Sequence, residues 1–171
     1  MSKSDTDYFE ILSDLTAKKR VTVDIRNGEY CLVASSLIAP GERIILINGE
    51  LSQTPCRLSV QVGEDLHISP PADLGEGAEL DTYQWRFLNH SCRPNAVIVR
   101  RVLIAISPIE AGEEVSFDYN TTEAVMASPF LCRCNHCDSA EIQGYRLLTP
   151  VEQERRKHLV DSYLCATLEE S

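Results

Sequence analysis

This chain is predicted to be a mainly β protein of several small sheets closed by a C-terminal helix, on three observations. Short apolar runs rich in Val and Ile recur along its central part, separated by Pro- or Gly-bearing turns such as APGE and EAGEE. The pair Asn27-Gly28 stands between two such runs, and both residues tolerate the positive φ of a tight hairpin. After the strands, the pattern switches to helical spacing from residue 149.

Taken in order, DYFEILSDL carries Phe9, Leu12 and Leu15 on one side and predicts a short N-terminal helix. VTVDI and YCLVA flank RNGE and form the hairpin. RIILI, RLSVQV, LHIS, AVIVR, VLIAI and EVSFDY are the further strands. At the end, Thr149 caps a helix, Pro150 takes its first position and Glu152 completes a capping box. Leu159, Val160, Tyr163, Leu164 and Leu168 continue it as an apolar stripe that packs on the rest of the domain. No internal repeat or low-complexity segment interrupts this order.

With 171 residues the chain suits one domain with one core. Lys and Arg total 16 against 26 Asp and Glu, a net charge of -10. Such a surface repels phosphate backbones, and the basic runs KKR at 18–20 and ERRK at 154–157 are too short to reverse that, so no direct nucleic-acid partner is expected. An acidic surface suits a Lys- and Arg-rich peptide, and it serves equally as a solvated face. No run is long and apolar enough for a membrane span, and MSKSDTDYFE lacks a signal peptide's regions, so an intracellular place, cytoplasmic or nuclear, is expected. Seven cysteines then read as thiols or metal ligands rather than disulfides.

Cys132, Cys134 and Cys137 form C-x-C-x2-C, and a thiolate zinc site needs four ligands. Cys92, in the polar stretch RFLNHSCRPN, is the natural fourth. His136, squeezed between Cys134 and Cys137, competes with it, and four unligated thiols are the bland alternative.

Three motifs in order, RFLNHSCRPN at 86–95, IEAGEEVSFDYN at 109–120 and CRCNHC at 132–137, make the chain resemble SET-domain protein lysine methyltransferases with a cysteine-rich post-SET tail. IAPGERIILINGE at 38–50 resembles the family's N-terminal half more weakly. The resemblance implies small sheets around a knot-like crossing near NHSC. It divides the chain into an extension (1–19), a SET domain (20–122), a post-SET zinc segment (123–148) and a C-terminal helix (149–171). It also implies S-adenosylmethionine, a lysine-bearing protein or peptide substrate, and zinc. Tyr119 matches the catalytic tyrosine, which aligns amine and methyl. Glu29, Tyr30, Cys31, Arg86, Phe87, Asn89, His90 and Tyr119 would contact the cofactor, and Cys92 would join the tail cysteines on zinc.

Methyl transfer to an amine needs a neutral nitrogen held in line with the methyl group and shielded from water. Phe117 can line such a channel or simply pack in the core. The pattern departs in two places. The family's hairpin usually carries Gly-x-Gly before Leu-Phe-Ala, where this chain has Glu29-Tyr30-Cys31 before Leu32-Val33-Ala34. Larger side chains there predict weaker cofactor binding. Two residues rather than four separate the last two tail cysteines, a spacing still good for zinc. Beside the methyltransferase, the altered hairpin leaves open a zinc-bearing binding module or an enzyme for another, small-molecule reaction.

Overall fold

Hairpin chemistry sets the first element. In the structure, a computed structural model describing residues 19–74 and 79–165, β1 (Val21–Arg26) pairs antiparallel with β2 (Glu29–Ala34). Asn27 and Gly28 take φ of 52° and 82°, the positive values a two-residue turn of this kind requires. The N-terminal helix expected at DYFEILSDL lies outside the described residues.

Two three-stranded sheets follow. In one, β3 (Arg43–Leu46) and β8 (Ala96–Val99) flank β9 (Val102–Ala105); in the other, β4 (Glu50–Ser52) and β5 (Val60–Gly63) flank β6 (Leu66–Ser69). β4 was not foreseen, because its three residues are all exposed and leave no apolar pattern. The β8–β9 turn is made by Arg100 and Arg101 at φ 48° and 68°, unusual for such side chains. Tertiary bonds hold it: the Arg100 N–H donates to Asp161, and Arg101 Nε to the Ile47 carbonyl.

One core joins these sheets, with Leu32, Ile38, Ile47, Ile68, Leu103, Ile109 and Val115 fully buried. The segment 109–115 runs along β2, its backbone bonded through Ala34 to Glu113 and Val115 to Leu32. β7 (Asn89–His90) and β10 (Ser116–Phe117), where the resemblance puts the crossing, pair in parallel. β11 (Phe130–Leu131) and β12 (Glu141–Ile142) form a small tail hairpin.

Thr149 caps α1 (Pro150–Arg156) in a complete capping box with Glu152. The apolar stripe does not continue as one helix over the described residues: the chain leaves α1 after Arg156 and resumes as the short α2 (Ser162–Cys165), and Leu168 lies outside the described residues. Asp161 explains the break, since its carboxylate accepts the N–H of Ser162 and that of Arg100 across the fold. Leu164 still packs, with Val160 and Tyr163, in a second cluster around Tyr145, Ala124 and Leu148.

Candidate cofactor, substrate and metal sites

The loop after β7 is stitched to β10 by one side chain. Asn95 donates to the Glu114 carbonyl and accepts the Ser116 N–H, while the Ser91 N–H donates to the Phe117 carbonyl. EVSFDY does not run on as one strand, because Asp118 caps a 3-10 turn over Tyr119–Thr121 by accepting the Asn120 N–H at 3.0 Å. That turn swings Tyr119 out of the strand. Its hydroxyl donates to the Leu88 carbonyl at 2.6 Å, and its N–H donates to His90 Nδ1 at 3.2 Å. Burial, then the carboxylates of Glu123 and Glu114, push the phenol well above the ordinary tyrosine range. Tyr119 is therefore a fixed, neutral dipole rather than a base.

Two cavities meet at this residue. The larger, about 1120 Å³, has acidic and basic side chains on its wall, among them Glu29, Glu114, Arg26, Arg93 and Arg133, together with Asn89 and His90. The smaller, about 700 Å³, is lined by Tyr30, Trp85, Arg86, Phe87, Phe117 and Glu123. Glu29, Asn89, Tyr119 and Phe130 line both. Of the residues expected at the cofactor, Glu29, Asn89, His90 and Tyr119 thus line the larger cavity, whereas Tyr30, Arg86 and Phe87 line the smaller. Cys31 lines neither of these two and is 1% exposed, buried on the strand face opposite Leu32. The Tyr30 and Phe87 rings lie 5.0 Å apart, and Arg86 stacks over Phe87 at 4.5 Å. Phe117 is both core and lining, 4.9 Å from the Tyr119 ring.

Both amide hydrogens of Asn89 are committed, to Glu114 at 2.9 Å and to the Tyr30 carbonyl at 3.2 Å. Its side-chain oxygen is the atom left to meet a ligand.

The thiols gather beside the larger cavity. Cys92 Sγ lies 3.7 Å from Cys132 Sγ, and Cys134 Sγ 4.0 Å from Cys137 Sγ. Zinc–thiolate bonds of about 2.3 Å at tetrahedral angles require sulfurs about 3.8 Å apart, so these separations fit the ion. Burial, then the neighbouring Cys137 and Cys132, push the Cys92 thiol far up. Burial raises Cys134 too, but the Cys92 N–H and other donors outweigh it and bring that thiol down to about 7. The tight group of possible ligand atoms among the described residues is His90, Cys92, Cys132 and Cys134, all within 4.8 Å. Cys137, expected as a ligand, is outside that group although its Sγ lies 4.0 Å from that of Cys134, and His136, the competitor expected from spacing, is exposed and also outside it. His90 has a different part: its Nδ1 accepts the Tyr119 N–H, so Nε2 carries the hydrogen and points it at Cys92 Sγ, 3.2 Å away.

Sequence reasoning missed Glu114, Phe130, Glu123 and Arg156 at this site. Phe130 sets its ring edge-on to His90 and Tyr119. Glu123, nearly buried, accepts the Gln61 N–H, and Arg156 reaches Asp118 from α1. Only the position of Phe130 just before the first tail cysteine offered a signal; the others are brought in by folding.

The family model for the SET domain matches residues 29–120. Over 58 residues the chain is 41% identical to histone-lysine N-methyltransferase ash1 of Drosophila melanogaster, covering 29% of this chain and 3% of that protein. It is 41% identical over 68 residues to histone-lysine N-methyltransferase ASHR3 of Arabidopsis thaliana, covering 35% of this chain and 13% of that one. A variant-silencing SET domain-containing protein of Plasmodium falciparum matches over 151 residues at 27% identity, covering 80% of this chain and 5% of that protein. The chain thus spans a small part of the curated relatives it matches. Among solved structures, KRYPTONITE in complex with mCHG DNA and SAH superposes with a TM-score of 0.54 at 17% identity, covering 73% of this chain and 30% of that one. The matched span reaches from the hairpin strand β2 to the turn that carries Tyr119, and on that ground the chain belongs to the SET-domain family.

Proposed function

We propose that this chain is an S-adenosylmethionine-dependent methyltransferase acting on a lysine side chain of a protein substrate. The observation that carries this is the meeting of two cavities at Tyr119, both with charges on their walls, the smaller also lined by the rings of Tyr30, Trp85, Phe87 and Phe117. A cofactor bearing an ammonium, a carboxylate and a sulfonium suits the first, and a lysine's alkyl stem suits the second. SAH in the KRYPTONITE complexes and the names of the ash1 and ASHR3 relatives support the same reading, as does the H3 peptide of a second KRYPTONITE complex.

The cofactor supplies a methyl group already activated by the sulfonium. Asn89 and the His90 backbone would hold it, and Cys92, Cys132, Cys134 and Cys137 would hold a structural zinc that fixes the tail against the cavity. The lysine must arrive neutral, and burial among Phe117, Trp85 and Phe87 disfavours its ammonium form. With the cofactor bound, Phe117, Trp85 and Phe87 would shield the neutral nitrogen from water and keep it directed toward the methyl group. Tyr119, anchored on the Leu88 carbonyl, fixes the line of approach. An acidic chain favours a basic substrate segment over nucleic acid, and the histone methyltransferase relatives support a nuclear place of action.

The test combines calorimetric titration with S-adenosylmethionine and methyl transfer to basic lysine peptides by parent and Tyr119→Phe. Tyr119→Phe should keep the fold and lower kcat about tenfold to a thousandfold. Equal rates would reject this role for Tyr119. A second reading, a zinc-bearing binding module, draws on Glu29, whose side chain lines both cavities where the family usually has glycine. Zinc retained with no cofactor binding would establish it instead.

A further inference from the structure

We infer that Arg156 is a positioning residue for the reaction: from the C-terminal helix it holds the Asp118–Tyr119 turn in its productive geometry. The inference rests on the methyltransferase reading for its kinetic part only. Arg156 Nε donates to Asp118 Oδ2 at 2.6 Å, across 38 residues of sequence. Asp118 is 3% exposed at its side chain and Arg156 17%, so the pair is shielded from water. A buried carboxylate is costly unless paired, which makes this contact decisive for where Asp118 sits.

What Asp118 holds is the site itself. Its other oxygen accepts the Asn120 N–H that starts the turn, and its main-chain carbonyl accepts from both Thr121 N–H and Thr121 Oγ1. Asp118 Oδ1 also packs 3.6 Å from His90 Nδ1, too far for a hydrogen bond, beside the Tyr119 N–H that this nitrogen accepts. Arg156 therefore connects α1 to the start of the turn that carries Tyr119 through the one side chain of Asp118. The guanidinium is itself aimed from the helix, its Nη1 donating to the Glu152 carbonyl one turn earlier. Glu152 is the residue of the capping box, so the helix start and the arginine's direction are set together.

The arrangement gives the C-terminal segment a share in the site without touching either cavity wall. Without Arg156, Asp118 would turn toward water, and the turn carrying Tyr119 would loosen while the sheets stay formed.

Three variants of the full chain test this: Arg156→Ala, Arg156→Lys, and Arg155→Ala on the exposed side of the same helix as a control. Hydrogen exchange at the amides of Tyr119 and Asn120, which needs neither cofactor nor substrate, should quicken about tenfold in Arg156→Ala and stay unchanged in Arg155→Ala. In methyl transfer, Arg156→Ala should lose about tenfold to a hundredfold in kcat with little change in peptide KM, since misplacement of the aligning group acts on the transition state. Arg156→Lys keeps the charge without the fork and should recover part of that loss. Unchanged exchange at Tyr119, or exchange quickened equally across all sheets, would overturn the inference. A parent that transfers no methyl group would instead overturn the methyltransferase reading and leave the exchange result to decide on Arg156.

Discussion

Glu29 and Cys31 occupy the places of the family's two hairpin glycines, yet the fold treats them oppositely. Glu29 is exposed on the wall shared by both cavities, whereas Cys31 is buried. Restoring glycine at each should therefore give separable results. Glu29→Gly should tighten S-adenosylmethionine binding in a calorimetric titration by removing a carboxylate near the cofactor's own. Cys31→Gly should leave that affinity alone and cost about 1–3 kcal/mol of stability in urea unfolding, from lost burial and added chain freedom. Glu123 makes a second residue-scale prediction. Burial raises its carboxyl from 4.5 to about 7, and the Gln61 N–H only partly offsets this. Below pH 4.5 the group is protonated folded and unfolded, and its contribution to stability is fully present. Between 4.5 and about 7 the unfolded chain ionises first, and that stability, about 3 kcal/mol, is lost. His67, 3.9 Å from Glu123, is lowered by burial and works the opposite way, losing stability as pH falls below its ordinary 6.5. It is present in both proteins when Glu123→Gln is compared with the parent. The difference in unfolding free energy should grow in favour of Glu123→Gln from pH 5 to 8, and an unchanged difference would show Glu123 ionised throughout.

At the scale of elements, the tail hairpin β11–β12 is too short to stand alone, and the Cys132 N–H bonded to the Ala140 carbonyl extends it straight into the thiol cluster. Metal should therefore order it. Elemental analysis should find about one zinc per chain, with Cys92→Ser losing it and His136→Ala keeping it. His90→Ala should weaken zinc retention against a chelator about tenfold to a hundredfold, as expected of a donor to a ligand rather than a ligand. Complete loss in His90→Ala with full retention in Cys137→Ser would assign the fourth position to His90. Elements were legible where their cause is local. Asn27-Gly28 turns the first hairpin by its own φ preferences, and Thr149 with Glu152 starts α1 by capping alone. The Arg100-Arg101 turn, the break after Arg156 and the shortness of β10 were not legible, because Ile47, Asp161 and the Asp118 cap decide them.

For the whole molecule, a net charge of -10 should draw in a basic lysine peptide over distances longer than any contact. Peptide affinity measured at low salt should fall steadily toward about 0.3 M salt, where screening acts within about 6 Å, while S-adenosylmethionine affinity changes little. A salt-independent peptide affinity would place recognition in the cavity alone. Residue order by itself determined the family, the β-rich class, the capped helix and the thiol cluster, because each depends on neighbours close in sequence or on a motif with its own chemistry. It singled out Asn89, His90, Cys92 and Tyr119, which the fold brings together beside the larger cavity. Only the tertiary structure decided that Tyr30, Arg86 and Phe87 line the smaller cavity, that Cys31 turns inward, and that His90 stands between Tyr119 and Cys92. Those outcomes depend on which strand faces which, and so on the pairing of β7 with β10 and the reach of Arg156 to Asp118. A chain read one neighbourhood at a time carries no record of contacts that exist only after its distant parts have met.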